Sequence, residues 1–346
     1  MMTVQVLKSA LLAVLIATIL SLSGCYYVQA ARGQLDVMRK REPIVEIVGD
    51  PGTPPELADK LRLVQEAREF SITELGLPDN KSYQSYSDVE RDYVVWNVFA
   101  APEFSLTPKQ WCYPVAGCVS YRGYFKEEAA MNAASKLEKA GFDVHLGGVS
   151  AYSTLGKFSD PVLSTMMRWD DVQMASVLFH ELAHQVLYIK GDTGFNESFA
   201  TAVEEAGVER FLLSKGMTDA FRTYEDRKAL RRRLMQLTSD ARIDLSALYA
   251  ENIGESDKRH RKQQRIAQLS DALRIELQTS GRDSAGWLGQ ALNNARIASL
   301  ALYEGRLPQF RIMLDRCHDD LACFYAEARR VSKLKQTARD DYLDGL

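Results

Sequence analysis

The sequence feature that most constrains the fold is His-Glu-Leu-Ala-His, a stretch that contains two of the chain's 5 histidines. Asp170 or Asp171 can cap a helix that we expect to carry this stretch and to end at Gly191. Residues four apart in a helix lie on one face, so His180 and His184 project in the same direction. Two imidazoles at this spacing can reach a single zinc ion. The alternative is a pair of structural histidines on an otherwise apolar helix.

A second helix is predicted to follow after a short turn. Gly-Asp-Thr-Gly at 191–194 favours the turn, and Asn196 is predicted to cap the helix that comes next. A tight connection makes the two helices antiparallel neighbours and brings the start of the second beside the histidines. The predicted core face of the second helix consists of Phe199, Val203, Ala206 and Phe211.

This second helix supplies the third candidate ligand, Glu197, because catalytic zinc takes three protein ligands and keeps one position for water. Glu204 lies seven residues later and points in nearly the same direction. It is the candidate acceptor of a hydrogen bond from the other ring nitrogen of a ligand histidine. Glu205 is the alternative for either role, although it projects about 100° away from Glu204.

The stretch HELAH followed by NESFATAVE resembles the paired motifs His-Glu-x-x-His and Asn-Glu-Gly-Phe-Ala-x-x-x-Glu of gluzincin peptidases, most closely the aminopeptidase N group. With AYSTLG, DPVLSTM and FHELAHQ, the whole chain is similar to a family of predicted bacterial aminopeptidases. The resemblance implies one zinc ion per chain on His180, His184 and Glu197. It also implies that Glu181 is the general base and that Glu204 supports a ligand from behind.

Two features depart from the aminopeptidase N pattern. Only 12 residues separate His184 from Glu197, so the connecting loop is shorter. The segment Gly-x-Met-Glu-Asn, which holds the substrate's free amine in that group, is missing from the sequence. We therefore expect a zinc-dependent metallopeptidase that hydrolyses peptide bonds, with an aminopeptidase favoured over an endopeptidase. The remaining alternatives are a zinc hydrolase of another bond and an inactive metallopeptidase-like lipoprotein that acts as an envelope binding or assembly factor.

A further hydrogen-bond donor is needed to stabilise the oxyanion formed during hydrolysis. The sequence offers Tyr152, Tyr224, Tyr249 and Tyr303, each of which can equally be a packing residue, and Tyr152 is the one we retain as a candidate. It lies in the predicted strand 148–154, just before the zinc helix. That strand is either the edge to which an extended peptide substrate pairs or an ordinary internal strand.

The first residues, MMTVQVLKSALLAVLIATILSLSGC, have one early Lys8 and then a long apolar run. A short basic start before an apolar stretch is typical of an export signal. The ending Leu-Ser-Gly-Cys resembles a bacterial lipobox, which implies that residues 1–24 are removed and that Cys25 is lipidated. We expect a lipid-anchored, periplasm-facing protein of the cell envelope, with the outer membrane as the favoured location. The alternative is a simple transmembrane anchor.

Four further cysteines are predicted to form disulfides in that oxidising compartment. Three connectivities are possible, and we favour the two local pairs, Cys112–Cys118 and Cys317–Cys323. Neither pair has the spacing of a zinc knuckle or a redox site.

The predicted fold class is α+β, mostly α-helical, with a gluzincin-like core implied by the resemblance. After the signal, we expect an N-terminal helical segment (25–92), a β platform with the zinc-peptidase core (93–216) and a C-terminal helical region packed on that core (217–346). The net charge of −3 gives no indication of nucleic-acid binding. The basic run at 258–265 is interpreted as a solvated helix face. The expected partner is a peptide substrate, and the chain is expected to be a monomer.

Overall fold

The computed structural model describes residues 26–113, 117–283, 288–301 and 306–346. The predicted signal, Cys25 and Tyr303 lie outside these residues. Within the described chain the fold is mostly helical with three small sheets, which confirms the predicted class. None of the described helices is both long and apolar enough to cross a membrane.

The N-terminal part begins with helix α1 (26–39). A second long helix has Pro55 in its first turn, where proline's missing N–H costs nothing. Its buried face consists of Ala58, Leu61, Val64, Ala67 and Ser71. The elements after α1 are β1 (Arg41–Pro43), α2 (Ile44–Gly49), α3 (Pro55–Thr73) and β2 (Ser85–Ser87).

The predicted β platform contains an antiparallel sheet of three strands, in which one of the two eight-residue strands lies in the centre. Its elements are β3 (Val95–Pro102), β4 (Trp111–Tyr113), β5 (Gly117–Val119), β6 (Arg122–Tyr124), α4 (Glu127–Lys139) and β7 (Phe142–Val149). The strand order is β6-β3-β7, and β4 pairs with β5 as a separate hairpin. Val98 on β3 packs with Ala130 and Ala134 of α4 on one face of the sheet. The opposite face, which carries Val95 and Asn97, borders a cavity.

The two motif helices are α5 (Asp171–Val186) and α6 (Thr193–Ser214), preceded by the short strand β8 (Val162–Leu163). Asp170 caps α5 by accepting a hydrogen bond from the backbone N–H of Gln173 at 2.8 Å, as expected. The predicted end of α5 at Gly191 is wrong, because the backbone of Leu187 is already extended.

The predicted cap of α6 is also wrong. Asp192 takes that position and accepts a hydrogen bond from the backbone N–H of Phe195. The buried side chain of Asn196 instead accepts from the N–H of Ile189 at 2.7 Å and donates to the carbonyl of Ile189 at 2.8 Å. These two bonds satisfy the extended backbone between α5 and α6, which explains why α5 stops early.

The C-terminal part is a run of helices: α7 (Thr218–Ala250), α8 (Glu255–Thr279), α9 (Asn294–Ala301), α10 (Leu307–Arg316), α11 (Leu321–Ser332) and α12 (Gln336–Asp344). Helices α7 and α8 form a hairpin with its own apolar cluster, whereas α10–α12 return to the main core. Disulfides join Cys112 to Cys118 across β4 and β5, and Cys317 to Cys323 between α10 and α11.

The basic run at 258–265 lies in α8, and most of its side chains are exposed, as predicted. Lys262 is the exception, because it is buried. Its ammonium group lies 2.7 Å from the carboxylate of Asp143, at the start of β7. The run therefore also attaches the hairpin to the sheet.

Candidate metal centre and active site

The two motif histidines converge on the start of α6. The Nε2 atom of His180 lies 3.2 Å from a carboxylate oxygen of Glu197, and the Nε2 atom of His184 lies 3.7 Å from the same oxygen. One ligand atom from each of the three residues lies within 4.8 Å of the other two. Helical spacing on α5 and the short α5–α6 connection together produce this cluster.

The donor set fits a zinc ion. Zinc bonds to nitrogen and oxygen of about 2.0–2.2 Å in a tetrahedron separate neighbouring ligand atoms by about 3.3 Å. The distances of 3.2 and 3.7 Å between the ring nitrogens and Glu197 are close to that value. Two imidazoles and one carboxylate are also the ligand types of catalytic zinc sites that leave a position for water. His180, His184 and Glu197 are therefore the residues that could hold a metal.

Glu204 supports the cluster from behind. One of its oxygens lies 3.0 Å from the Nδ1 atom of His180, and the other accepts a hydrogen bond from the hydroxyl of Ser176. Ser176 precedes His180 by one helical turn, so this carboxylate ties α6 to two positions on α5. The Nδ1 atom of His184 is buried and has no such partner among the described residues.

The alternative carboxylate, Glu205, faces another part of the molecule. It accepts two hydrogen bonds from the guanidinium of Arg311 on α10, at 2.7 and 2.8 Å. Its predicted direction, about 100° from Glu204, accounts for this difference. Neither Glu204 nor Glu205 is among the described residues that line the cavity above the histidines.

Burial and interactions with neighbouring groups shift the pKa values of the site residues in opposite directions. Burial raises the pKa of Glu197, but hydrogen bonds with His180 and His184 outweigh it and lower the pKa to about 2. Burial lowers the pKa of His180, but its bonds to Glu197 and Glu204 prevail and raise the pKa to about 10. Burial raises the pKa of Glu181, whereas the neighbouring histidines lower it by less. Glu181 is thus a more basic carboxylate than Glu197.

A cavity of about 680 Å³ lies above this cluster, a size typical of ligand sites. Its floor includes Glu181 and the three candidate ligands, and its other walls come from α1, the sheet, the segment after β7 and the start of α6. Tyr152 lines this cavity, but its hydroxyl is hydrogen-bonded to Gln34 of α1. Tyr224 and Tyr249 are not among its described lining residues.

Three other tyrosines, Tyr26, Tyr121 and Tyr188, also line the cavity, and the sequence analysis did not predict them. Burial, followed by the charge of Glu197, raises the pKa of Tyr121 to about 12. The same two causes, in the same order, raise the pKa of Tyr188. Tyr188 lies just past the end of α5, in the extended segment that leads to α6, so its nearness to His184 in sequence was a usable signal. Tyr121 had no comparable signal, because the connection between β5 and β6 carries it to the site.

The predicted strand at 148–154 is only partly present. Strand β7 ends at Val149, and residues 150–154 form no strand. The backbone N–H and the hydroxyl of Thr154 instead bond to Asp160, at 2.9 and 2.7 Å, which turns the chain away from the sheet. An extended peptide therefore has no described strand to pair with at 150–154.

The outer edge of β7 is covered as well. The carbonyls of Val144 and Leu146 accept hydrogen bonds from the side chains of Asn293 and Gln290, at 2.8 and 3.1 Å. Asn293 also accepts a hydrogen bond from the backbone N–H of Arg296, at 3.0 Å. Asn293 is thus the cap of α9 rather than a residue that reaches the cavity.

Comparison with known proteins gives one match. A family model described as "Putative aminopeptidase" matches residues 25–343. The search of curated proteins and the search of solved structures each returned no significant match.

Proposed function

The chain belongs to the family described as "Putative aminopeptidase", whose model spans most of its length, and we propose that it is a zinc-dependent metallopeptidase. The observation that carries this proposal is the convergence of His180, His184 and Glu197, with Glu181 lining the same cavity. The gluzincin-like spacing of these residues supports a single catalytic zinc ion per chain.

The chemistry follows from the arrangement of the side chains. When bound, zinc supplies a Lewis acid that polarises the scissile carbonyl and acidifies water. Glu181 takes a proton from the attacking water and delivers it to the leaving amine as the C–N bond breaks. Burial, which raises the pKa of Glu181, makes it a better base than an exposed carboxylate. Glu204 keeps the ring of His180 in a fixed orientation.

The family description favours removal of residues from the N-terminus of a peptide. One observation favours an endopeptidase as the second candidate. Among the described residues that line the cavity, Glu181 and Glu197 are the only carboxylates, and both are assigned to the zinc chemistry. An aminopeptidase must pair the substrate's buried α-ammonium group with an acceptor, since an unpaired buried charge is costly.

We test the proposal with Glu181→Gln, His184→Ala and the matched control Glu209→Gln, which changes an exposed carboxylate of α6. Wild-type protein should bind about one zinc ion and cleave peptides. Glu181→Gln should retain zinc and lose turnover by at least about 10²-fold, because it removes the base. His184→Ala should lose most of the zinc, and Glu209→Gln should behave as wild type.

Near wild-type turnover in zinc-loaded Glu181→Gln protein would remove this residue from the mechanism. Full zinc occupancy in His184→Ala would rule out the metal site. The same assays with N-acetylated peptides separate the two cleavage modes, because acetylation removes the α-ammonium group. If acetylated peptides are cut internally at similar rates, the enzyme is an endopeptidase.

A further inference from the structure

Helix α1 runs along the open edge of β6. The side-chain amide of Gln29 donates a hydrogen bond to the carbonyl of Gly123 at 3.3 Å and accepts one from the backbone N–H of Phe125 at 3.2 Å. These two backbone groups belong to the side of β6 that has no neighbouring strand in the described sheet. Gln29 therefore satisfies groups that would otherwise be free to pair with another chain.

The same face of α1 packs closely on the body of the protein. A Cβ atom at Gly33 would overlap the ring of Phe125, so only glycine allows this approach. Val37, one turn further, is 1% exposed and belongs to the main core. Gln29, Gly33 and Val37 are spaced by four residues and form one helical stripe. This stripe attaches α1 firmly, which makes α1 a wall rather than a mobile lid.

The adjacent stripe of α1 faces the cavity. Tyr26, Ala30 and Gln34 are also spaced by four residues, and all three line it. Eight residues of helix extend over about 12 Å, the length of several peptide side-chain positions. The hydroxyl of Tyr152 bonds to Gln34 and closes one end of this stripe. Ala30, the smallest of the three, leaves a recess between two larger side chains.

The chemistry of the cavity favours an uncharged occupant. No lysine or arginine is among its described lining residues, and its two carboxylates are assigned to the zinc chemistry. The walls nearest the sheet are mainly apolar or aromatic, with Asn97 as a polar exception, and they include Val95, Val119, Phe125 and Val149. A charged substrate side chain would lose hydration there, and the described lining offers it no lysine, arginine or unassigned carboxylate as a partner.

We propose that α1 forms one wall of a subsite for an uncharged, apolar side chain of the peptide next to the scissile bond, and that the small side chain of Ala30 makes room for that side chain. This inference rests on the proposed peptidase function. It assigns to the N-terminal helix a part in substrate selection in addition to its structural contacts. Large aliphatic and aromatic residues should bind best in the wild-type subsite, and acidic or basic ones should bind worst.

The test compares Ala30→Leu with Ala31→Leu in the full chain. Ala31 is exposed on the outer face of α1, so this control adds the same bulk away from the cavity. Both substitutions retain good helix propensity.

The substrates are peptides that differ only in the residue next to the scissile bond, which is Gly, Leu, Phe, Asp or Lys. The value of kcat/KM is measured for each peptide. Ala30→Leu should reduce kcat/KM for the Leu and Phe peptides at least about 10-fold relative to the Gly peptide. Ala31→Leu should keep the wild-type profile, and zinc content should be equal in all three proteins.

An unchanged profile in Ala30→Leu, or a wild-type preference for Asp or Lys peptides, would overturn the inference. A separate measurement distinguishes this failure from failure of the proposed function. Binding of the Leu and Gly peptides is measured by calorimetry in the Glu181→Gln background, with and without Ala30→Leu. If the wild type cleaves no peptide but Ala30→Leu still abolishes tighter binding of the Leu peptide, the subsite stands and the peptidase proposal falls. Equal binding of both peptides in both proteins would refute the subsite itself.

Discussion

The pair α5–α6 and the hairpin α7–α8 are both long-helix pairs, but they are built differently. In α5, 8 of 16 residues are buried, and in α6, 12 of 22. In α7 only 7 of 33 residues are buried, and in α8 only 4 of 25. The first pair is surrounded by other elements, which hold its side chains in place. The second buries a single stripe, and no residue of it is among the described lining of the cavity. Rigidity is therefore concentrated where the candidate ligands are.

The buried charges of the two pairs show the same difference. Glu204 on α6 bonds to His180, a candidate metal ligand. Lys262 on α8 bonds to Asp143 and to the carbonyl of Glu103, at 2.7 and 2.9 Å, and these contacts attach the hairpin to the sheet. A buried charge needs such partners in either place. In the first pair the partner, His180, belongs to the proposed zinc site. In the second pair the partner, Asp143, has only a structural role.

The largest difference in stability is expected from Phe179→Ala in α5. Phe179 is fully buried and packs edge-on against Phe211, with ring centroids 6.0 Å apart. Its truncation should lower the free energy of unfolding by about 3–5 kcal/mol, because a large cavity forms in the core. The control is Ile243→Ala in α7, because the side chain of Ile243 is 65% exposed. This substitution should change the free energy of unfolding by less than about 0.5 kcal/mol. Urea unfolding measures both, and similar losses in the two variants would mean that the helix pairs are equally packed.

The second expected effect is a change in zinc affinity, which should distinguish the buried charge of Glu204 from that of Lys262. Glu204→Ala should weaken zinc binding by about 10–100-fold, because His180 loses the partner that orients its ring. Lys262→Ala should leave zinc affinity unchanged and lower only the stability of the hairpin's attachment. Competition with a chelator measures the affinities. An equal loss of zinc affinity in both variants would contradict the assignment of Glu204 to the zinc site and of Lys262 to a structural role.

Helix capping preferences and helical periodicity predicted the features that depend on a single helix. The cap at Asp170, the shared face of His180 and His184, and the different directions of Glu204 and Glu205 all follow from helical geometry. The early end of α5 could not be predicted in this way. It depends on the hydrogen bonds between Asn196 and Ile189, which exist only after α6 has packed.

The walls of the cavity were the least predictable part. Tyr121 comes from the β platform and Ala30 from α1, so each is more than fifty residues away from His180 in sequence. No periodicity within a single element indicates which strand and which helix will enclose a site. Chain topology brings the β platform and α1 to the cavity. The residue pattern of a single segment does not indicate this topology. The candidate ligands were therefore accessible from the sequence, whereas the walls of the cavity required the structure.

The smallest effect is expected for the ion pairs across the surface of the α7–α8 hairpin. Arg265 of α8 lies 2.7 Å from Asp244 of α7, and the side chain of Asp244 is 58% exposed. Water and salt screen such a pair, and fixing two flexible side chains costs entropy. Asp244→Ala should therefore change the free energy of unfolding by only about 0.2–1 kcal/mol, and the change should shrink further in 1 M salt. Urea unfolding at low and high salt measures both values. A loss above about 2 kcal/mol that persists in high salt would mean that the hairpin depends on its ion pairs as strongly as α5–α6 depends on its core.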